Sequence, residues 1–140
     1  MTPYAEIQVT TNFTFTYGAS HPHELIKTAR SLNYHAIAVT DHNSLAGVVR
    51  AHVVAREHGI KLLVGARLDF VNFPSLLCLP TTRNAYGRLT ALLTTGKRRA
   101  LKDQCKIYYS DLIENSTDQI LVILPPRVIS YEFLEYLKIL

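Results

Sequence analysis

The chain has 140 residues, 48% of them hydrophobic and 19% charged, with a formal net charge of +4. These values fit one soluble globular domain with a substantial core and exclude a disordered chain. No apolar run approaches the ~20 residues of a transmembrane helix. Met1 to Glu6 carries neither the basic stretch nor the apolar core of a secretory signal, so the cytoplasm is the expected compartment.

Cys78 and Cys105 are too few and too widely spaced for a zinc knuckle or a disulfide framework. Cys78, inside Leu76-Leu77-Cys78-Leu79, reads as a small buried apolar residue. Asn12-Phe13-Thr14 and Asn115-Ser116-Thr117 match the glycosylation pattern, which a cytosolic chain does not use. The isoelectric point near 9.2 suggests an acidic partner and says nothing about fold.

In chain order, Ala5, Ile7 and Val9 alternate with Glu6, Gln8 and Thr10, which predicts a strand with one apolar face. Thr11 to Gly18 reads as a polar and aromatic loop. Ser20 or His21 can cap the next helix, with Pro22 and Glu24 in its first turn and Leu25, Ile26, Ala29 and Leu32 on one face. His21 and His23 read as capping or solvated residues. Ala36 to Thr40 is a second strand, ending in the polar cluster Asp41-His42-Asn43-Ser44. Val48, Val49, His52, Val53 and Arg56 follow at helical spacing, and Gly59 supplies a left-handed cap. His52 and His58 are expected on the outer surface of that helix.

Lys61 to Gly65 and Ser75 to Leu79 read as further strands, with Arg67 and Asp69 just beyond the first of them. Thr82 caps a helix carrying Tyr86, Leu89, Leu92 and Leu93, with a stop expected at Gly96. A basic run follows: Lys97, Arg98, Arg99, Lys102 and Lys106. Those cations, with Tyr108 and Tyr109 nearby, could meet a few phosphates of a nucleic acid. A solvated helix end is the plainer account, because basic residues complement the helix dipole there. Gln119 to Leu124 is an apolar strand, and Ser130 caps a last helix bearing Phe133, Leu134, Leu137 and Leu140. This alternation predicts an α/β fold with a parallel sheet and crossover helices, either an open sheet or part of a barrel. Ligand chemistry belongs at the carboxyl ends of such strands, where Thr10, Asp41, His42 and Arg67 fall.

Several separated blocks resemble a known family. Ile7 to Thr14, Thr40-Asp41-His42, Leu45-Ala46-Gly47 and Leu63-Val64-Gly65 resemble the PHP (polymerase and histidinol phosphatase) domain. Asn12-Phe13-Thr14-Phe15, Gly18 to Pro22, Asn43 to His52, and Ala85 to Ala100 are similar to the N-terminus of bacterial error-prone DNA polymerases, relatives of the polymerase III alpha subunit. The resemblance covers nearly the whole chain. It implies a distorted, mostly parallel β/α barrel of which residues 1–140 are an incomplete, truncated N-terminal portion forming one domain. An open half-barrel would expose a sheet edge and favour self-association.

The resemblance also implies what the site should contain. Active members hold a cluster of zinc, manganese or iron ions with His, Asp and Glu, and these metals activate water against a phosphate ester. The family's paired histidines on the first strand correspond to Gln8 and Thr10 here. Its glutamate after the third strand corresponds to Arg67, and a further histidine to Ser75. Asp41 and His42 are retained. Vestigial metal residues and no resident cofactor are therefore expected, with Arg67 offered as an internal counter-ion for Asp41. The magnesium-binding aspartates of polymerase chemistry are absent from residues 1–140, so this chain alone is expected to be a non-catalytic scaffold. A metal-dependent phosphoesterase or 3′–5′ nuclease is the alternative. The implied partners are the polymerase's own catalytic domains, DNA, and other mutagenesis or replication proteins, with no membrane.

Overall fold

In the computed structural model, which describes residues 3–138, the chain forms two compact units that meet in sequence at Arg67 and Leu68. The N-terminal unit is built on strand β2 (Ala36–Val39), whose four residues are all buried. Strands β1 (Ala5–Val9) and β3 (Lys61–Val64) flank it in the order β1-β2-β3, and both pairings are parallel. Parallel neighbours need crossovers, and these are helices α1 (Pro22–Ser31) and α2 (Val48–His58). Ile26, Ala29, Ile37, Val39, Ala51 and Ala55 belong to the core they enclose, with Val9, Tyr34, Val54 and Val64 packed against it.

Local chemistry sets the helix ends. The Glu24 carboxylate reaches back to accept from the His21 amide at 2.7 Å, closing the first turn of α1. His21 and His23 are exposed, as expected, with their rings stacked at 5.5 Å. Gly59 ends α2 at φ 62°, in the left-handed region. The buried face of α2 differs from the one the spacing suggested. Val48, Ala51 and Ala55 face inward, whereas Val49 and Val53 are exposed. Alanines allow the helix backbone to approach α1 and β3 closely, and that closeness outweighs the larger apolar area of the valines. His52 is exposed, but His58 is half-buried with Nδ1 3.0 Å from the Val54 carbonyl oxygen.

The C-terminal unit departs from an all-parallel sheet. Strand β4 (Ala66–Leu68) spans the boundary, and within the C-terminal unit β5 (Leu76–Pro80) and β6 (Gln119–Ile123) pair antiparallel. Helix α3 (Arg83–Arg99) is capped by the Thr82 hydroxyl, which accepts from Ala85 N at 3.1 Å. It runs through Gly96 rather than stopping there. A Cβ at Gly96 would lie 2.7 Å from Ile107 Cγ1 and 2.8 Å from Cys105 Sγ, so the glycine serves close packing and not termination.

Two short helices complete the unit, α4 (Tyr109–Asn115) and α5 (Tyr131–Leu137). The sequence pattern missed α4, which has an aromatic residue rather than Ser, Thr, Asp or Asn before it. Asp111 supplies the missing cap by accepting from Tyr108 N at 2.9 Å. Ser130 caps α5 through Phe133 N, as expected. Leu140, expected on that helix, lies outside the described residues.

Candidate metal centre

Asp41 leaves the carboxyl end of β2 fully buried. A carboxylate out of water must be met by donors, and each one here comes from the loop after β1. Thr11 N donates to Oδ1 at 2.8 Å, and Thr14 Oγ1 donates to the same oxygen at 2.8 Å. The Thr11 hydroxyl is shared between Oδ1 at 3.0 Å and Oδ2 at 2.9 Å. Each hydroxyl is also an acceptor: Phe13 N donates to Thr11 Oγ1 and His42 N to Thr14 Oγ1, both at 3.1 Å. With those lone pairs taken, the hydroxyl hydrogens turn toward the carboxylate.

Gly47 closes the Oδ2 side of the cluster. A Cβ there would stand 2.7 Å from Asp41 Oδ2 and 2.9 Å from Thr11 Oγ1, so the main chain itself abuts the carboxylate. The β-ladder extends into the same region. Thr40 N donates to Val9 O, Arg67 N to Asp41 O and Asn43 N to Arg67 O, which aligns Arg67 beside the His42 main chain. Arg67 lies just beyond β3, as expected, within the short strand β4, and it meets Asp41 through the backbone. Amide and hydroxyl donors from Thr11 and Thr14 meet the charge of Asp41.

The other predicted positions have separate settings. His42 is half-buried, and its ring stacks on Tyr17 at 4.8 Å. Gln8 is exposed on β1, and Thr10 is half-buried just after it. Ser75 belongs to the C-terminal unit, where its hydroxyl donates to Asp69 Oδ1 at 2.6 Å. Among the described residues there is no group of three or more His, Cys, Asp or Glu side chains placed to hold a metal ion. Thr11, Thr14 and Gly47 were not singled out from the sequence as site residues. The available signal was the pair of threonines three apart, followed by a buried Asp-His.

The basic run closes α3. Arg99 forms a paired contact with Asp111 at 2.7 and 2.9 Å and lies 5.1 Å over the Tyr108 ring. Its hydrogen bond holds the Asp111 carboxyl below the usual carboxylate range. Tyr109 stacks on Phe73 at 4.2 Å, while Lys97, Arg98, Lys102 and Lys106 remain exposed.

A family model described as "PHP domain" matches residues 6–130. The chain belongs to the PHP domain family. It is 51% identical over 135 residues to the error-prone DNA polymerase of Caulobacter vibrioides, covering 96% of this chain and 12% of that protein. It is 50% identical over 122 residues to error-prone DNA polymerase 2 of Agrobacterium fabrum, covering 87% of this chain and 11% of the relative. The PHP chain thus spans about an eighth or less of the length of these relatives.

Two solved structures share the fold. One, assigned as a metal-dependent phosphoesterase from Bifidobacterium adolescentis, superposes with a TM-score of 0.58 at 23% identity, covering 69% of this chain and 34% of that one. An amidohydrolase from Chromobacterium violaceum gives 0.54 at 22% identity, covering 67% and 33%. Both support a mixed α/β PHP-like fold containing a parallel sheet. No described helix is long and apolar enough to cross a membrane.

The residues here do not fit a metal cluster of the kind such a site implies. Asp41 Oδ1 accepts from Thr11 and Thr14, while Oδ2 shares the Thr11 hydroxyl and is abutted by Gly47. Gln8 and Thr10 are poor ligands for a transition metal, and Arg67 brings a permanent positive charge.

Proposed function

We propose that this chain is the PHP-domain portion of an error-prone DNA polymerase and serves there as a non-catalytic scaffold. On this reading residues 1–140 are the incomplete N-terminal part of a single barrel-like domain, continued in the full protein by further chain. The polymerase domains would supply nucleotidyl transfer on DNA with magnesium, in the cytoplasm, together with other replication or mutagenesis proteins. Asp41 and His42, with Gln8, Thr10, Arg67 and Ser75, are then vestiges of a metal site, and Lys97 to Lys106 is a solvated helix end.

The observation that carries the scaffold reading is the Asp41 carboxylate, which accepts from Thr11 and Thr14 where a metal ligand would need free lone pairs. A donor set of amide and hydroxyl hydrogens keeps the buried charge satisfied without a cation. The site then holds two chain segments together instead of activating water.

Metal analysis of purified protein after incubation with zinc or manganese tests this reading. The expected result is less than one tightly held ion per several chains after desalting. Stoichiometric metal, or metal-dependent hydrolysis of a phosphate ester lost in Asp41→Ala, would instead establish the phosphoesterase alternative.

A further inference from the structure

The loop between β1 and α1 displays more aromatic surface than a scaffold needs. Phe15 is 82% exposed and Tyr17 76% exposed, although they directly follow a buried anchor, Thr14. The display is held in place. Asn12 N donates to Ser20 O, Thr14 N to Thr11 O, and Tyr17 N and Gly18 N both donate to Thr14 O. Gly18 packs so tightly that a Cβ would fall 2.0 Å from the Thr11 carbonyl oxygen. Between the two rings, Thr16 adopts φ 71°, a region that β-branched residues rarely enter. Strain of this kind persists only where surrounding contacts enforce it.

A guanidinium and an imidazole pack on rings of the same loop region. The Arg50 guanidinium lies 5.2 Å over Phe13, and His42 supports one face of Tyr17. From Ile7 to His23 the sequence has no Asp or Glu, and the nearby Asp41 is buried with its oxygens occupied. The surface therefore combines exposed π faces with positive charge and lacks a surface carboxylate on the loop. That combination suits unpaired bases, which stack on rings, and the phosphates between them, which seek guanidinium groups. A duplex hides its base faces, and an acidic peptide has no use for a row of flat rings.

We infer that the Phe13–Tyr17 loop, with Arg50 and His42, is a stacking platform for single-stranded DNA. The choice of DNA over RNA rests on the polymerase reading above; the platform itself rests on the loop. Phe15 and Tyr17 each take a base, and Arg50, seated over Phe13, meets a phosphate of the adjoining backbone.

Fluorescence anisotropy of the 140-residue chain with a labelled oligo-dT of about 20 nucleotides, titrated at several salt concentrations, tests the inference. Wild-type chain is expected to bind, more weakly as salt rises. Removing either ring should weaken binding by about tenfold, and Arg50→Ala should flatten the salt dependence by about one phosphate contact. Circular dichroism checks each variant's fold. Phe15→Leu, which keeps apolar bulk but removes the π face, should lose binding as Phe15→Ala does. The inference is overturned by absence of binding at low salt, by unchanged affinity in Phe15→Ala/Tyr17→Ala, or by equal binding of duplex DNA or poly-glutamate. Those outcomes leave the metal analysis untouched, so scaffold and platform can fail separately.

Discussion

Thr11 donates to Asp41 twice, through its amide and through its hydroxyl, across 30 residues of sequence. This pair joins the end of β1 to the end of β2 and takes up a charge that would otherwise be buried alone. Asp41→Ala should leave the Thr11 amide and the Thr14 hydroxyl without an acceptor and cost about 3 kcal/mol or more. Thr11→Val, which keeps the amide bond and loses the hydroxyl, should cost about 1.5 kcal/mol. Urea denaturation checks both; the midpoint should fall in that order with an unchanged slope.

Glycine-to-alanine substitutions should divide by environment. Gly47→Ala must push a methyl against Asp41 Oδ2 and Thr11 Oγ1, and should destabilise by about 1–3 kcal/mol. Gly87 lies inside α3 with nothing within 4 Å of its would-be Cβ. Gly87→Ala should therefore stabilise by about 0.5–1 kcal/mol through helix propensity. Thermal melts of the two variants should move in opposite directions.

The Arg99–Asp111 contact sets an acid-side dependence. Arg99 lowers the Asp111 pKa in the folded chain, so folding favours the ionised form. The resulting stability is present above the ordinary carboxylate pKa of about 3.9 and is lost as pH falls through the lower folded value. Because Arg99 is exposed, the contribution is small. Arg99→Ala should flatten the stability profile below about pH 4 while leaving its shape near neutrality unchanged, as read by denaturation at stepped pH.

The two thiols should differ in reactivity. Burial pushes the Cys78 pKa up to about 12, and its Sγ lies 3.4 Å from Gln119 Oε1. Cys105 is less buried; its pKa is also raised by burial, with Lys97 opposing the shift. A thiol-specific aromatic disulfide at mildly alkaline pH should modify Cys105 first, and Cys78 only when denaturant is added. Equal rates in the native chain would contradict the packing of β5.

Much of this was legible in the residues. The alternation of Ala5, Ile7 and Val9, the buried run after Tyr34, and the capping chemistry of Thr82, Ser130 and Gly59 mark elements that formed where expected. Hydrophobic pattern carries no strand direction, so the antiparallel pairing of β5 with β6 was not visible. Size was also ambiguous. Gly96 reads as a stop in sequence but accommodates Ile107 in space, and Ala51 and Ala55 look less core-like than the valines they displace. At the site, Asp41 and His42 were conspicuous. The donors to Asp41 were hidden because a threonine at 11 or 14 looks like any loop threonine until the chain brings it back to β2.

The long sequence separation of those donors also orders events during folding. Thr11 and Thr14 stand 30 and 27 residues from Asp41, with all of α1 in between. Closing that span carries an entropic cost before any bond to the carboxylate forms, and parallel pairing of β1 with β2 brings the ends together. The anchoring of the aromatic loop to Asp41 is therefore expected to follow pairing of β1 with β2. A peptide ending before Asp41 would carry every residue of the loop and lack the anchor that shapes it.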